Sequence, residues 1–330
     1  MRNKIITFAV IFLTLGICTS NTALAQDANL PFFKDVPEGS DYFTAVQYMK
    51  KTGLIDDKEE YLNPEKEISR AEAVYYILKI ILGYEPDAKI PLKKEFNDVS
   101  INGVLTPYIA KAVELKIING YKNSASESDK LSEKYGRGLF KPHKKVNLAE
   151  IVKMVLETEK LINSSIIFDK PSEDVFADVP ANAWFSGYAK TAKDKRIIKF
   201  GRDDKMNPEE IVTKGYLMEI LYRLIRSREK IMFGIASFYD GKFNNKKTSS
   251  GDIFSSNLFT AAHRTLPFGT VLRVTNLRNS KSVDVVVNDR GPYVKNFTLD
   301  LSESAFAQIA PLSNGIIPIE YKIISEWKEK

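Results

Sequence analysis

Ser282-Val283-Asp284-Val285-Val286-Val287-Asn288-Asp289-Arg290-Gly291-Pro292 is a strand that runs into a block. Alternation puts Val283, Val285 and Val287 on one face, and Val286 keeps the other face partly apolar, as in a strand covered on both sides. Arg290-Gly291-Pro292 cannot extend the ladder, because proline has no N–H to donate and glycine adds no packing. Asp289 therefore stands where the strand breaks. A carboxyl group between apolar walls and open space has its proton affinity raised, which suits a general acid near neutral pH. The same residue also reads as a turn Asp bonded to its own backbone.

The texture around this strand is uniform from Gly234 onward. Short β-rich runs cover Val271 to Asn276, Ser282 to Asn288 and Ile317 to Ile324, and the turn formers at Leu277 to Lys281 predict a hairpin between the first two. One helix is predicted over Glu303 to Ile309 with Ser302 as its cap, and Asp300 reads as a strand-exit residue. Many short strands in about 95 residues predict a closed barrel over 233–325.

Upstream the pattern changes to helices in repeats. Phe33-Lys34-Asp35-Val36, Phe96-Asn97-Asp98-Val99 and Phe176-Ala177-Asp178-Val179 each open a unit. Each is followed by an amphipathic helix, over Tyr42 to Lys51, Tyr108 to Lys116 and Trp184 to Lys195, and then by a second helix starting near Ser69, Asn147 and Thr213. The interval from the Asp to the residue before that start is 33, 48 and 34 positions, so the second unit carries about 15 extra residues, assigned to a polar surface loop at 122–138. The units are placed at 31–90, 94–163 and 174–228. Ser69-x-x-Glu72 and Asn147-x-x-Glu150 have capping-box spacing, which accounts for those four side chains without any ligand. Arg70 is not explained by capping. It is the candidate for bidentate contact with an acidic or ketal-bearing sugar.

Residues 1–25 combine Arg2 and Lys4, an apolar run from Ile5 to Cys18 and Ala23-Leu24-Ala25, the pattern of a secretory signal. The expectation is an exported chain, in the wall, at the cell surface or in the periplasm, with no membrane span after cleavage. The signal would remove the single Cys, leaving no disulfide. Lys plus Arg exceeds Asp plus Glu by 48 to 42, a modest basic excess compatible with an anionic polymer. Nothing in the chain has the form of a nucleic-acid module, and no cofactor is expected. No His, Cys or acid cluster has metal-ligand spacing, and His143 beside Lys144 and Lys145 reads as a solvated loop residue.

The three units resemble S-layer homology domains, whose pattern opens with Phe-x-Asp-Val and carries Ile-Thr-Arg-Ala-Glu at the second helix. Ile68-Ser69-Arg70-Ala71-Glu72 is close to that form; Val146-Asn147-Leu148-Ala149-Glu150 lacks the Arg and Val212-Thr213-Lys214-Gly215-Tyr216 lacks the Glu. The resemblance implies an all-α pseudo-trimer of helical repeats that binds secondary cell-wall polysaccharide in grooves between units, with Arg70, Glu72 and Lys214 as its contacts here.

The C-terminal segment resembles rare lipoprotein A. The blocks that carry the resemblance are Gly234-Ile235-Ala236-Ser237-Phe238-Tyr239, Thr248-Ser249-Ser250-Gly251-Asp252, the run from Leu258 to Thr270 that contains Ala261-Ala262-His263, Val274-Thr275-Asn276-Leu277, Asn288-Asp289-Arg290-Gly291-Pro292 and Leu299-Asp300-Leu301-Ser302. This implies an all-β, six-stranded double-psi β-barrel in a multidomain chain, and lytic transglycosylase activity on peptidoglycan glycan strands. By motif it places Asp289, His263 and Asp252 in the cleft. The family has Glu at the last of these positions, and Gly-Arg where this chain has Asn296-Phe297.

A lytic transglycosylase protonates the leaving glycosidic oxygen, stabilises an oxocarbenium-like centre and takes a proton from the muramyl C6 hydroxyl as the 1,6-anhydro ring closes. One acid that becomes a base can serve both proton steps, and Asp289 is the candidate. A hydrolase needs two flanking carboxyls, which Asp252 with Asp289 would also supply. Tyr239, Thr248, Asn288 and Arg290 are candidate sugar contacts, with Tyr239 also readable as core and Arg290 as a brace for the turn. Two other classes stay open: a glycan-binding module without catalysis, and a linker that ties the wall to an outer layer.

Overall fold

A computed structural model describes residues 33–55, 59–87, 95–121, 138–200, 203–239 and 241–325. The signal-like segment 1–25 and residues 122–137 of the insertion lie outside the described residues.

Among the described residues, the N-terminal part contains three pairs of helices: α1 (Phe43–Lys51) with α2 (Arg70–Leu82), α3 (Thr106–Glu114) with α4 (Leu148–Ile162), and α5 (Ser186–Asp194) with α6 (Lys214–Arg228). The second member of each pair is capped by a side chain, with Ser69, Asn147 and Thr213 accepting from the amide three residues on. At Ser69 the box is complete, since Glu72 reaches back to the Ser69 amide at 2.9 Å. At Asn147 it is half complete, because the Glu150 carboxylate turns instead to Tyr121 and Lys144. The α2 helix stops at Gly83, which takes the left-handed φ of 61° that a side chain resists.

The repeated Phe-x-Asp-Val motif is a fastening. Phe33, Phe96 and Phe176 are buried in the shared core. Each Asp accepts two consecutive backbone amides just before the second helix: Asp35 from Leu62 and Asn63 at 2.9 and 2.6 Å, Asp98 from Phe140 and Lys141 at 2.8 and 2.7 Å, and Asp178 from Met206 and Asn207, both at 2.8 Å. The second residue of each clamped pair has positive φ and precedes a proline, so the carboxylate holds a turn that the backbone would otherwise resist.

From these turns the units link in a cycle. The amides of Arg70 and Ala71 donate to the carbonyls of Lys144 and Pro142 in the second unit. Those of Leu148 and Ala149 donate to Glu210 and Pro208 in the third, and those of Lys214 and Gly215 donate to Lys66 and Pro64 in the first. The free amides that open each second helix are thus satisfied by the next unit's turn. Gly215 is required at its place, because a Cβ there would lie 2.5 Å from the Tyr42 ring. The insertion leaves and rejoins this frame at one point, where the Tyr121 amide donates to Leu139 at 2.8 Å.

The C-terminal part is a closed six-stranded barrel in the order β1-β5-β2-β4-β3-β6. Its strands are β1 (Met232–Phe238), β2 (Thr260–Ala262), β3 (Val271–Asn276), β4 (Ser282–Asp289), β5 (Leu299–Leu301) and β6 (Ile317–Ser325). Two pairs are parallel, β1 with β5 and β2 with β4, and the rest antiparallel. Val283, Val285 and Val287 fill the interior with Leu272, Val274, Leu299 and Leu301, while α7 (Glu303–Ile309) adds Phe306 and Ile309. Ser302 caps α7.

The barrel is seated on the helices. Phe233 and Leu277 belong to the helical core, Gly39 and Thr44 donate backbone bonds to Arg278 and Leu277, and Arg278 pairs with Asp41 at 3.0 Å. Glu320 on β6, 6% exposed, accepts from Tyr222 at 2.5 Å and Arg226 at 3.2 Å, both on α6. Among the described residues no helix is long and apolar enough to cross a membrane.

Candidate active site

The barrel brings four polar or small residues into one row. Asp289 on β4 is opposite Ala262 on β2, Ala262 is opposite Asp300 on β5, and Asp300 is opposite Ser237 on β1. Paired residues on neighbouring strands project to the same face, so two carboxylates flank one alanine. The register of β2 against β4 breaks at this point: Ala261 is opposite Val287, but Ala262 is opposite Asp289 rather than Asn288. Such a break re-aims a side chain, and here it brings Asp289 into the row.

Asp289 is half-buried and well supplied with donors. Its Oδ1 accepts from the Ser249 amide at 2.8 Å, the Ser249 hydroxyl at 2.6 Å and its neighbour Arg290's amide at 2.8 Å; its Oδ2 accepts from the Tyr239 hydroxyl at 3.0 Å. Burial alone would raise its proton affinity, but these hydrogen bonds outweigh it and hold the carboxyl below the ordinary aspartate value. The expectation of a raised proton affinity at Asp289 is therefore corrected: the strand end is lined with donors, and the group is an anion. Tyr239 is correspondingly harder to ionise, through burial and then the charge of Asp289. Its ring packs edge-on to Phe243 and tilted against Phe254.

Asp300 has the opposite environment. Its Oδ1 accepts from the Ser237 hydroxyl, and its Oδ2 has no hydrogen-bond partner among the described residues. That oxygen faces Gly291, where a Cβ would come within 3.9 Å of it. Burial, together with the charge of Asp289, raises its proton affinity. Ser249 is the site residue that the sequence does not single out, while Asp300 reads from it as a strand-exit residue rather than a catalytic one. Ser249 sits in a run of three hydroxyl residues, Thr248 to Ser250, which is the signal that points to it. Asp300 is a strand residue of the row, not an exit residue.

The remaining candidates play other parts. The His263 ring accepts at Nδ1 from the amides of Thr265 and Leu266 at 3.2 and 3.0 Å and lies near Tyr321, while its own amide donates to the Asp289 carbonyl at 3.1 Å. Burial, then Arg290 and Arg264, lower its proton affinity, so it is neutral and presents Nε2–H. Arg290 donates to the carbonyls of His263 and Leu266 and stacks on Phe268 at 3.7 Å, which fixes the turn after β4. Asp252 is exposed and accepts from the Ser250 hydroxyl at 2.8 Å. The Thr248 hydroxyl is shared with Ser250 inside the same loop, and the Asn288 carbonyl accepts from the Ser250 amide. Leu258, Phe259, Ile253 and Tyr293, the last 83% exposed, leave apolar surface on the loops of the barrel. A cleft of about 610 Å³ opens elsewhere, at the seam of helices and barrel, between Arg196, Lys199, Asp41 and Pro318. Among the described residues no group of three or more His, Cys, Asp or Glu is placed to hold a metal ion.

In the helical part, Arg70 is only 8% exposed and faces the second unit. It donates to the Asn119 carbonyl at 3.3 Å, lies 3.8 Å from Glu150 and sits between the rings of Tyr121 and Phe140. Its Nε is buried without a partner. Glu72 stays in the capping box and also takes Lys66 at 2.8 Å; burial works against its ionisation, but these donors hold it at about 2. Lys214 is half-buried over the Tyr76 ring at 5.4 Å, and burial lowers its proton affinity.

Residues 231–321 match the family described as lytic transglycolase, and residues 32–74 match the S-layer homology domain. The chain is similar to the endolytic peptidoglycan transglycosylase RlpA of Campylobacter jejuni, 41% identical over 128 residues that make up 37% of this chain and 46% of the relative. The protein of that name from Pasteurella multocida is 45% identical over 116 residues, 34% of this chain and 38% of the relative. A probable one from Aquifex aeolicus is 44% identical over 111 residues, 34% of this chain and 49% of the relative. The chain thus spans less than half the length of these curated relatives.

Proposed function

We propose that the chain is an exported wall enzyme that cuts peptidoglycan glycan strands without water, leaving 1,6-anhydro-muramyl ends. The observation that carries this reading is the acid row on a barrel whose sequence matches the lytic transglycolase family: an anion in a cage of donors and, across one alanine, a second carboxyl with raised proton affinity. Asp289 is fixed as a negative charge, suited to stabilise the oxocarbenium-like centre. Tyr239 and Ser249 hold it there. Neutral His263 offers Nε2–H to a sugar oxygen, and exposed Asp252 borders the same loop edge as the buried Asn288 and Thr248.

In the helical part, the three helix pairs form the pseudo-trimer of an S-layer homology module that holds the chain to a wall polysaccharide. Arg70, Glu72 and Lys214 are its candidate contacts, with Arg70 reached from the seam between the first two units. The unmatched Nε of Arg70 and the unmatched Oε2 of Glu150 support a polar ligand there.

The test is to incubate the purified protein with amidase-treated sacculi and analyse released fragments by mass spectrometry. Anhydro-muramyl products are expected. Reducing muramyl ends would mean hydrolysis. A second reading, a glycan-binding module without cleavage, is favoured by one observation, that both oxygens of Asp289 are already occupied by donors. Tight sacculus binding with no release of fragments would select it.

A further inference from the structure

Asp289 and Asp300 lie on either side of Ala262, so by strand spacing their Cα atoms are about 10 Å apart, and their side chains converge on the same face. Asp289 has both oxygens engaged by donors, whereas Asp300 has one oxygen on Ser237 and one open, facing a glycine that has no side chain to cover it. A carboxylic acid that gives up its proton needs an oxygen that is free to carry it to the substrate. Of these two, only Asp300 has one.

We infer that Asp300 is the catalytic acid and base of the cleavage, with Asp289 as its fixed anionic neighbour; this rests on the lytic reading given above. The Asp300 proton goes to the glycosidic oxygen as the bond from that oxygen to the muramyl C1 breaks, and the bonding pair stays with the leaving oxygen, which becomes a hydroxyl. The C6 oxygen then bonds to C1, and its proton returns to the Asp300 carboxylate. No water is consumed and the acid is regenerated.

The other charged or titratable groups around β5 do not compete for the role. The Tyr239 hydroxyl after β1 is spent on Asp289, and Nδ1 of His263 after β2 on two amides. Arg264 after β2 donates to the carbonyls of Pro292 and Val294, and Arg290 after β4 to those of His263 and Leu266. Tyr293 is exposed, and Glu303 opens α7. None of them makes a hydrogen bond or ion pair to Asp300 among the described residues, so the like charge of Asp289 acts on it without a cation to offset it.

The experiment compares the full-length protein with Asp300→Asn and Asp289→Asn, in pH profiles of anhydro-product release and in carboxyl ¹³C titrations. Asn at position 300 keeps an acceptor for Ser237, so an unchanged thermal midpoint is expected. Release should fall by about 10²-fold or more, the scale of a lost general acid, with sacculus binding retained. In the wild type the alkaline limb of the profile should follow the Asp300 titration, and in Asp289→Asn both should move to lower pH. Release by Asp300→Asn at the wild-type rate, or a titration in which Asp300 loses its proton at or below Asp289, would overturn the assignment while leaving the lytic reading in place. A wild type that releases nothing would remove both.

Discussion

Asp289 and Asp300 hang from β4 and β5 on opposite sides of Ala262, in a row that ends at Ser237 on β1. The alanine between them is fully buried. Ala262→Val would put two methyl groups between the acids, and overpacking of this kind costs about 1–3 kcal/mol. The expected result is a lower thermal midpoint together with a loss of product release larger than the stability change explains. Release at the wild-type rate from a folded Ala262→Val protein would show that the row is not the reacting centre.

Tyr239→Phe removes the donor on Asp289 Oδ2 and leaves the ring packing in place. A hydrogen bond to a charged group contributes about 1.5 kcal/mol, roughly one pK unit. The proton affinity of Asp289 should therefore rise, and because the ionised form is the working one, the acid limb of the activity profile should move up by about one pH unit. The profile measured between pH 3 and 8 checks this.

Asp178→Ala deprives two amides of their acceptor at the turn before α6. A part-buried Met206 amide left unpaired and a positive-φ turn without its clamp should lower stability by about 1 kcal/mol. The same change at Asp35 or Asp98 should do likewise, since the geometry repeats. Urea unfolding curves of the three variants test whether the clamps are equivalent.

Tyr222→Phe takes from buried Glu320 one of its two bonds to α6 and leaves only that from Arg226. About 1–3 kcal/mol of stability should be lost. If helices and barrel unfold as one body, a single cooperative transition should persist at a lower midpoint. Two separate transitions in calorimetry would indicate that this seam had been the main bond between the parts.

Glu72 is held at about 2, far below an unfolded glutamate, so it contributes stability at pH values above the unfolded value, and that contribution is lost as pH falls through 4 toward 2. Glu72→Gln should flatten the acid side of the stability profile and have little effect on its slope above pH 5. Thermal midpoints across pH 2.5–6 measure it.

Helix starts were legible because they depend on local chemistry: Ser69, Asn147 and Thr213 each cap within three residues. The valine alternation of β4 was legible for the same reason. The acid row was not. It joins β4, β2, β5 and β1, an order in which no two neighbours are consecutive in the chain, and it depends on a register break at Ala262 that no spacing announces. The charge state of Asp289 was misread because its donors come from Ser249 and Tyr239, 40 and 50 residues away. The burial of Arg70 against the second unit was not legible either, since it follows from the cyclic arrangement that turns each helix start toward a neighbour.

That cyclic arrangement locks the copy number of the helical repeats. Each unit lends carbonyls to one partner and borrows them from another, so removing or duplicating a single repeat would strand donors at one joint and acceptors at the next. Length variation is tolerated only where the two ends of an excursion meet, as Tyr121 and Leu139 do. Descendants of this architecture should therefore differ in the size of such excursions, and not in the number of members around the circle.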